Sequence, residues 1–388
     1  MAHAPYRNPP PAAKLCTMRI AVCGTGILGA ALAARLAGRA AVTLLDAAPR
    51  PGTAATRGSF AWTNSNDKGP RAYHDLNTAG MRAWRALAPQ LGGAAWYRPV
   101  GNLEWAGDAD ARAALYARVQ RLRSWGYAAR LVGRREALGI EPSLSLPEDV
   151  TEAAWFPEEG YLLTGPLMER LLARAASHGA RLRLGAEGAV RAVEETAQGV
   201  AVGTAAGEPV AADLAVLCAG TGTPALAGIP FLLPEAESAA LTVTAGPAAG
   251  PLGRVVHAPG ISLRPAAGRD VHLEDGDAAD RPDEHAAALL ARARRILPEL
   301  EKAEVRGHAV CVRPLPVDGH PVVGPLPGAP RRYALVTHSG VTLGARLAEL
   351  AAREILSGDP SPELAPYRPD RFRAPRDRSA PPRPSSAP

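Results

Sequence analysis

The apolar positions of the chain fall into distinct regimes. Arg19–Cys23 is a short apolar run, followed by a glycine turn, an Ala/Leu-rich stretch with helical spacing that Gly38 stops, and a second apolar run at Ala41–Leu45. That order predicts strand, turn, helix and strand. Helical periodicity returns at Tyr73–Leu91, with Leu76, Met81, Trp84 and Leu87 on the apolar positions, then at Ala109–Gly126 and at Pro166–His178, which has Pro at its start and Gly179 just past its end. Arg181–Leu184 and Val190–Val193 read as short strands, and Ala212–Gly220 as a buried parallel strand ending in glycine. From Ile229 to His272 the pattern becomes alternation, in Ala240–Thr244, Arg254–His257, Ile261–Arg264 and Asp270–Leu273, which predicts an antiparallel sheet. A helix at Asp283–Ile296, a strand at Tyr333–Val336 and a last helix at Val341–Leu356 complete the pattern.

The predicted fold class is therefore α/β with α+β character: a Rossmann-like domain plus an antiparallel-sheet domain, both discontinuous. The first is expected to take residues 18–75, 151–225 and 305–358, and the second 76–150 and 226–304. Residues 1–17, rich in Pro and Ala, and 359–388, rich in Pro, Arg and Ser, read as a disordered extension and a disordered tail.

The first turn carries chemistry. Gly24-Thr-Gly26-Ile27-Leu28-Gly29 is a G-x-G-x-x-G between a strand and a helix, and Asp46 closes the second strand. Gly24 permits the tight turn, Gly26 lets backbone approach a pyrophosphate, and Gly29 lets the helix pack closely on the strand. The helix N-terminus then offers unpaired N–H groups to phosphate, and Asp46 a carboxylate to a ribose hydroxyl. The expectation is a dinucleotide site, against a chance glycine turn in an ordinary βαβ unit.

Composition narrows the partners. The formal charge of +6 hints at nucleic acid, but Arg7 and Lys14 contribute +2 and the tail from Tyr367, with six Arg against two Asp, +4, so the middle is neutral. No nucleic-acid partner is expected. The four cysteines, at 16, 23, 218 and 311, show neither a disulfide framework nor zinc spacing, so no metal is expected. No apolar stretch reaches transmembrane length and the N-terminus lacks a signal core, so the expected setting is cytoplasmic.

After Asp46 the chain enters a polar loop of small residues, Thr53–Asn66, that suits the phosphates and ring of a flavin, a surface Ω-loop being the alternative. With Gly160–Pro166 before a helix, ADLAVLCAG at 212–220, and Arg313-Pro-x-x-x-Asp318-Gly-x-Pro-x-x-Gly324 followed by His338-Ser-Gly-Val-Thr-Leu-Gly, the chain from 18 to 358 resembles the flavin amine oxidoreductases that include D-amino-acid oxidase, glycine oxidase and sarcosine oxidase. The resemblance implies a GR2-type FAD-binding domain and oxidation of the C–N bond of an amino acid or secondary amine to an imine. Its electron acceptor would be oxygen or another species.

The resemblance places the nucleotide end of FAD on Gly24, Gly26, Ile27, Leu28, Gly29 and Asp46, adenine near Val190, phosphates near Arg57 and Ser59, and the ribityl chain near Gly220. It aims the helix start at His338, Gly340, Val341 and Thr342 toward the flavin N1–C2=O edge. Arg313 matches the arginine that holds a substrate carboxylate, a structural ion pair with Asp318 or Glu304 being the alternative. His272 occupies the strand in which sarcosine-oxidase-like members carry a lysine that promotes reaction with oxygen. That puts oxygen in question as acceptor, and a plain strand histidine is the other reading of His272. Cys311 stands where that branch tethers flavin covalently, although a buried free Cys with non-covalent FAD is the default. Tyr73, His74, Trp62 and Asn64 follow the flavin loop and are expected on the substrate side, with a simple helix histidine the alternative for His74. Trp105 and Trp155 are expected to be core aromatics. An NAD(P)-dependent dehydrogenase and a non-catalytic flavin-binding protein remain as alternative functions. The first is disfavoured because the chain does not continue as βαβ after Asp46.

Overall fold

The computed structural model describes residues 18–276 and 281–372; the expectations for residues 1–17 and 373–388 lie outside them. The parallel sheet runs, in spatial order, Val322–Leu326, Ala329–Val336, Leu214–Leu217, Arg19–Cys23, Ala41–Asp46 and Arg181–Leu184, with the first strand antiparallel to the rest. Arg19–Cys23 pairs with Leu214–Leu217 on one side and Ala41–Leu45 on the other, and its two faces are covered, Ile20 and Val22 by helices and Ala21 and Cys23 by a small sheet, which is why it reads as a continuous apolar run. The first helix, Ile27–Leu36, and the last, Gly340–Ser357, cover one face of this sheet together with Thr164–Ser177, and almost every residue of the first helix is buried. A small sheet of Val190–Thr196, Gly199–Thr204 and Val210–Ala212 packs on the other face.

The second large sheet runs Glu304–Val312, Ala239–Gly246, Val271–Asp275, Ile261–Pro265, Val255–Ala258, Asn102–Glu104, Glu152–Phe156 and Arg130–Gly133. One face is apolar: Leu241, Val243, Leu263, Val271 and Leu273 pack on Ala286, Leu289, Leu290 and Ala293 of the helix Pro282–Ile296. Trp105 belongs to this core and Trp155 packs against it.

Three features depart from the expected organisation. Residues 76–96, expected with the antiparallel domain, instead supply Leu76, Trp84, Leu87, Leu91 and Trp96 to the core around the first and last helices, because the helix Arg71–Leu87 packs on the last one. Glu152–Phe156 and Glu304–Val312, expected with the Rossmann-like part, hydrogen-bond into the antiparallel sheet. Residues 359–372, expected to be a disordered tail, form two short 3-10 turns, Pro362–Tyr367 and Pro369–Phe372. Arg368 makes a two-pronged ion pair with Glu354 (2.8 and 2.9 Å) and Arg371 pairs with Asp318 (2.7 Å), so these arginines dock the segment rather than solvate it.

Candidate cofactor and substrate site

Three loops leave adjacent parallel strands at their carboxyl ends: Gly24–Gly29 after Arg19–Cys23, Cys218–Gly222 after Leu214–Leu217, and Thr337–Gly340 after Ala329–Val336. That edge is where open α/β sheets bind ligands. Gly24 adopts φ 115°, and a side chain there would run into the carbonyl of Cys218. A side chain at Gly29 would strike the carbonyl of Gly24. Ile27 N–H donates to Thr56 Oγ1 at 3.0 Å, whereas among the described residues Leu28 and Gly29 N–H, at the start of the same helix, have no protein acceptor. Asp46 accepts from Thr25 N–H (2.8 Å), Thr25 Oγ1 (2.6 Å) and Ala48 N–H (2.9 Å), which fixes its carboxylate at the end of its strand. A side chain at Gly188 would strike the main-chain carbonyls of Arg183 and Asp46, so the backbone there packs closely on the end of the Asp46 strand. This cradle of close backbone, free helical N–H groups and an oriented carboxylate fits the adenosine-diphosphate half of FAD.

The last helix offers a second such end. Val341 and Thr342 N–H have no protein acceptor among the described residues, and Gly340 packs on Ile27 of the first helix. Trp84 Nε1 donates to Val341 O (2.7 Å), Tyr73 OH donates to Ser339 Oγ (2.9 Å), and Asn64 N–H donates to Thr342 Oγ1 (3.3 Å). The loop at 53–66 is thereby tied to both helices. Within it Ala61 takes the left-handed φ of 59°, and Ser59 Oγ accepts its N–H at 2.9 Å.

Facing this assembly is the polar face of the antiparallel sheet. On the strand Val271–Asp275, Leu273 and Asp275 point at the helix Pro282–Ile296, where Asp275 pairs with His285 and Arg292, so His272 and Glu274 point the other way. Their register neighbours are Thr244 and Arg264 for His272, and Thr242 and Ser262 for Glu274. A cavity of about 590 Å³ lies between this face and the segment Thr53–Gly58, lined by Arg57, Thr242, Thr244, His272 and Cys311 among others, with Thr221 beside Gly220 at its margin.

His272 Nδ1 lies 3.3 Å from Thr244 Oγ1, Nε2 has no partner, and the ring stacks on Phe60. Burial, with Arg264 alongside, drives its pKa down to about 3, so it is neutral. The Cys311 thiol lies 3.6 Å from Ala55 O and burial pushes its pKa up to about 11. Arg313 follows at the end of the same strand. Its main-chain N–H and Nε both donate to Ser238 O (3.0 and 3.1 Å), and among the described residues its Nη groups have no protein acceptor. It makes no ion pair with Asp318, whose partner is Arg371. His338, half-buried with Nδ1 3.2 Å from Ser339 Oγ, is driven well below the ordinary histidine pKa by burial and by Lys68 and Arg313.

His74 is not brought into this group. It is 2% exposed, with Nδ1 2.9 Å from both Ser65 Oγ and Ser65 O, and its ring meets Trp125 and Tyr127. Two charged residues passed over in the sequence are prominent in the structure. Arg264 is buried over the rings of Phe60 and Tyr161, and its Nε donates to Phe60 O. Glu159 is fully buried and gathers four donors: Tyr127 OH (2.6 Å), Trp62 Nε1 (3.1 Å), Asn102 Nδ2 (3.1 Å) and Asn66 Nδ2 (3.3 Å). It thus pins the loop at 53–66 to the antiparallel sheet, and Trp62 lies 4.0 Å from the His257 ring. The alternation Val-His-Leu-Glu-Asp at 271–275 is the sequence signal that would have found Glu274; nothing local to Glu159 marks its partners.

Among the described residues no helix is long and apolar enough to cross a membrane. No curated protein matches the chain. Similar solved structures include glycine oxidase from Geobacillus kaustophilus (23% identity, TM-score 0.79, covering 91% of this chain and 98% of that one). Iminodiacetate oxidase from Chelativorans sp. BNC1 is 22% identical (TM-score 0.75, 90% and 99% covered). L-Proline dehydrogenase from P. horikoshii is 19% identical (TM-score 0.78, 92% and 98% covered). At these identities the likeness is one of fold. The family model described as DAO, FAD dependent oxidoreductase, matches residues 19–354, nearly the whole described chain, and the chain belongs to that family of FAD-dependent oxidoreductases.

Proposed function

We propose that the protein oxidises the C–N bond of an amino acid or a secondary amine bearing a carboxylate, giving an imine that water hydrolyses. FAD, when bound, supplies the two-electron acceptor. The observation that carries the reading is the guanidinium of Arg313, fixed through Nε while its Nη groups lack a protein acceptor. It directly follows the strand whose Cys311 lines the cavity between Thr53–Gly58 and the polar sheet face. A planar fork held in this way suits two-point capture of a carboxylate. The names of the similar structures, glycine oxidase, iminodiacetate oxidase and L-proline dehydrogenase, support a carboxylate-bearing amine as substrate.

In this reading the chain does most of its catalytic work by positioning. Arg313 holds the carboxylate, the last helix turns its positive N-terminal end to the flavin edge where negative charge develops, and the sheet face excludes water. Neutral His272 puts no cation of its own over the reacting centre, which supports a dehydrogenase passing electrons to an acceptor other than oxygen. The alkaline Cys311 thiol supports non-covalent FAD.

The test is anaerobic flavin bleaching of the purified holoprotein with a panel of D- and L-amino acids, N-methylglycine and simple amines. Bleaching by carboxylate-bearing amines is expected. Bound flavin that none of the panel bleaches overturns the reading. Stopped-flow reoxidation by oxygen against a quinone then separates oxidase from dehydrogenase.

A further inference from the structure

Glu274 has no role in the reading above, yet its setting is unusual. It sits half-buried on the cavity-facing side of the strand Val271–Asp275, two residues from His272 and in register with Thr242, which lines the cavity, and with Ser262. Among the described residues no donor reaches its carboxylate, whereas Asp275, facing the opposite way, is paired with His285 and Arg292. Carboxylates in protein interiors ordinarily collect donors or cations, as Glu159 does. Glu274 instead shares its surroundings with Arg264 from the neighbouring strand and Arg313 at the end of the outer one, neither within ion-pair distance. Cys311 and Asp275 complete the ionisable groups around it, while the intervening strand Ala239–Gly246 contributes the neutral Thr242. An unbonded carboxylate and a guanidinium whose Nη groups are also free, close enough to influence each other yet unpaired, leave two opposite charges open to a zwitterion.

We propose that Glu274 is the base that takes the proton from the substrate ammonium once Arg313 has taken its carboxylate. The inference rests on the amine-oxidation reading. The balance is a single proton transfer: an N–H bond breaks with its electron pair left on nitrogen, and an O–H bond forms on the Glu274 carboxylate. The neutral amine so formed is the species whose Cα–H can leave as hydride, since an ammonium has no lone pair to form the imine. Burial raises the Glu274 pKa to about 7, against the pull of Arg313 and Arg264, so the group holds its proton below neutrality and is free to accept one above it.

Two measurements on the FAD-loaded protein test this. The first is anaerobic flavin reduction by whichever member of the panel bleaches the wild type, followed from pH 6 to 10 in wild type, Glu274→Gln and Glu274→Asp. The reduction rate at limiting substrate should rise through about pH 7 in the wild type. In Glu274→Gln it should fall ~100-fold at pH 7.5 and recover toward pH 10 as the substrate amine ionises unaided, with Glu274→Asp between. The second uses acetate, which has a carboxylate and no amine, in calorimetric titrations: its wild-type affinity should weaken as pH rises from 6 to 8 and Glu274 becomes anionic, and this dependence should vanish in Glu274→Gln. Overlapping pH profiles for wild type and Glu274→Gln, or acetate binding with the same pH dependence in both, overturns the proposal. A wild type that no panel member reduces overturns the underlying reading instead, and the acetate titration still reports on Glu274.

Discussion

Cys311, near the end of the strand Glu304–Val312, and Arg313, just past it, carry opposite expectations. Replacing Arg313 with Leu removes a charge-assisted contact worth about 1.5–3 kcal/mol, so KM for a carboxylate substrate should rise roughly 10–100-fold. Flavin content should change little, since the cofactor cradle is built from other loops; unchanged kinetics in Arg313→Leu would refute the anchor. Cys311, with its thiol pushed up to about 11, should yield no thioether. After acid treatment a denaturing gel should therefore show no fluorescent protein band. The roles proposed for single residues followed from the sequence where a motif carried them, as in Gly24–Gly29. They did not where partners come from afar. Glu159 binds donors at positions 62, 66, 102 and 127, and only the folded chain gathers them.

The elements show the same division. Arg19–Cys23 and Arg181–Leu184 form over the ranges their sequence predicts, because the first is buried on both faces and the second is bounded by Gly179 and Gly185. Glu304–Val312 was not legible as a strand: it is an edge strand with all but its last two residues exposed, so its sequence lacks the apolar alternation of its partner Ala239–Gly246. Asn102–Glu104 and Arg130–Gly133 are too short to carry a period and exist because other strands pair with them. Among helices, Arg71–Leu87 acts as a brace for the last one. Its Trp84 is fully buried, meets Trp96 edge-on and donates to Val341 O, in the first turn of that last helix. Trp84→Ala should cost about 3–5 kcal/mol of stability. Trp84→Phe, which keeps most of the bulk and loses the hydrogen bond, should cost about 1–2 kcal/mol and weaken FAD retention on desalting. Full FAD retention in Trp84→Phe would show that this bond does not set the helix start.

At the scale of the molecule, buried and half-buried titratable groups oppose one another. Glu159 and Glu274 have folded pKa values raised to about 8 and about 7 by burial, so their contribution to stability is complete below the unfolded value and is lost as pH rises through those values. His257 and His272, both lowered to about 3 by burial, contribute stability above the unfolded histidine value and lose it as pH falls toward 3. Between about pH 4.5 and 6.5 these slopes oppose each other, with His338, also lowered by burial, adding to the histidine side, and above that range the carboxyl groups alone act. Urea unfolding of the apoprotein should therefore show stability rising toward about pH 6.5 and declining above it. Glu159→Gln should remove about 2 kcal/mol of the difference between pH 6.5 and 8; an identical decline in the variant would assign the loss to other groups. The order of the parallel sheet has one further consequence, for synthesis. Arg19–Cys23, made first, must wait for residues 214–217 to gain its second neighbour and for residues 329–336 to complete the next strand. The helix end beside its own glycine turn arrives only with residue 340. A nascent chain therefore carries an apolar strand without its final neighbours through most of its translation, a period in which chaperone binding should protect it and early cofactor capture cannot.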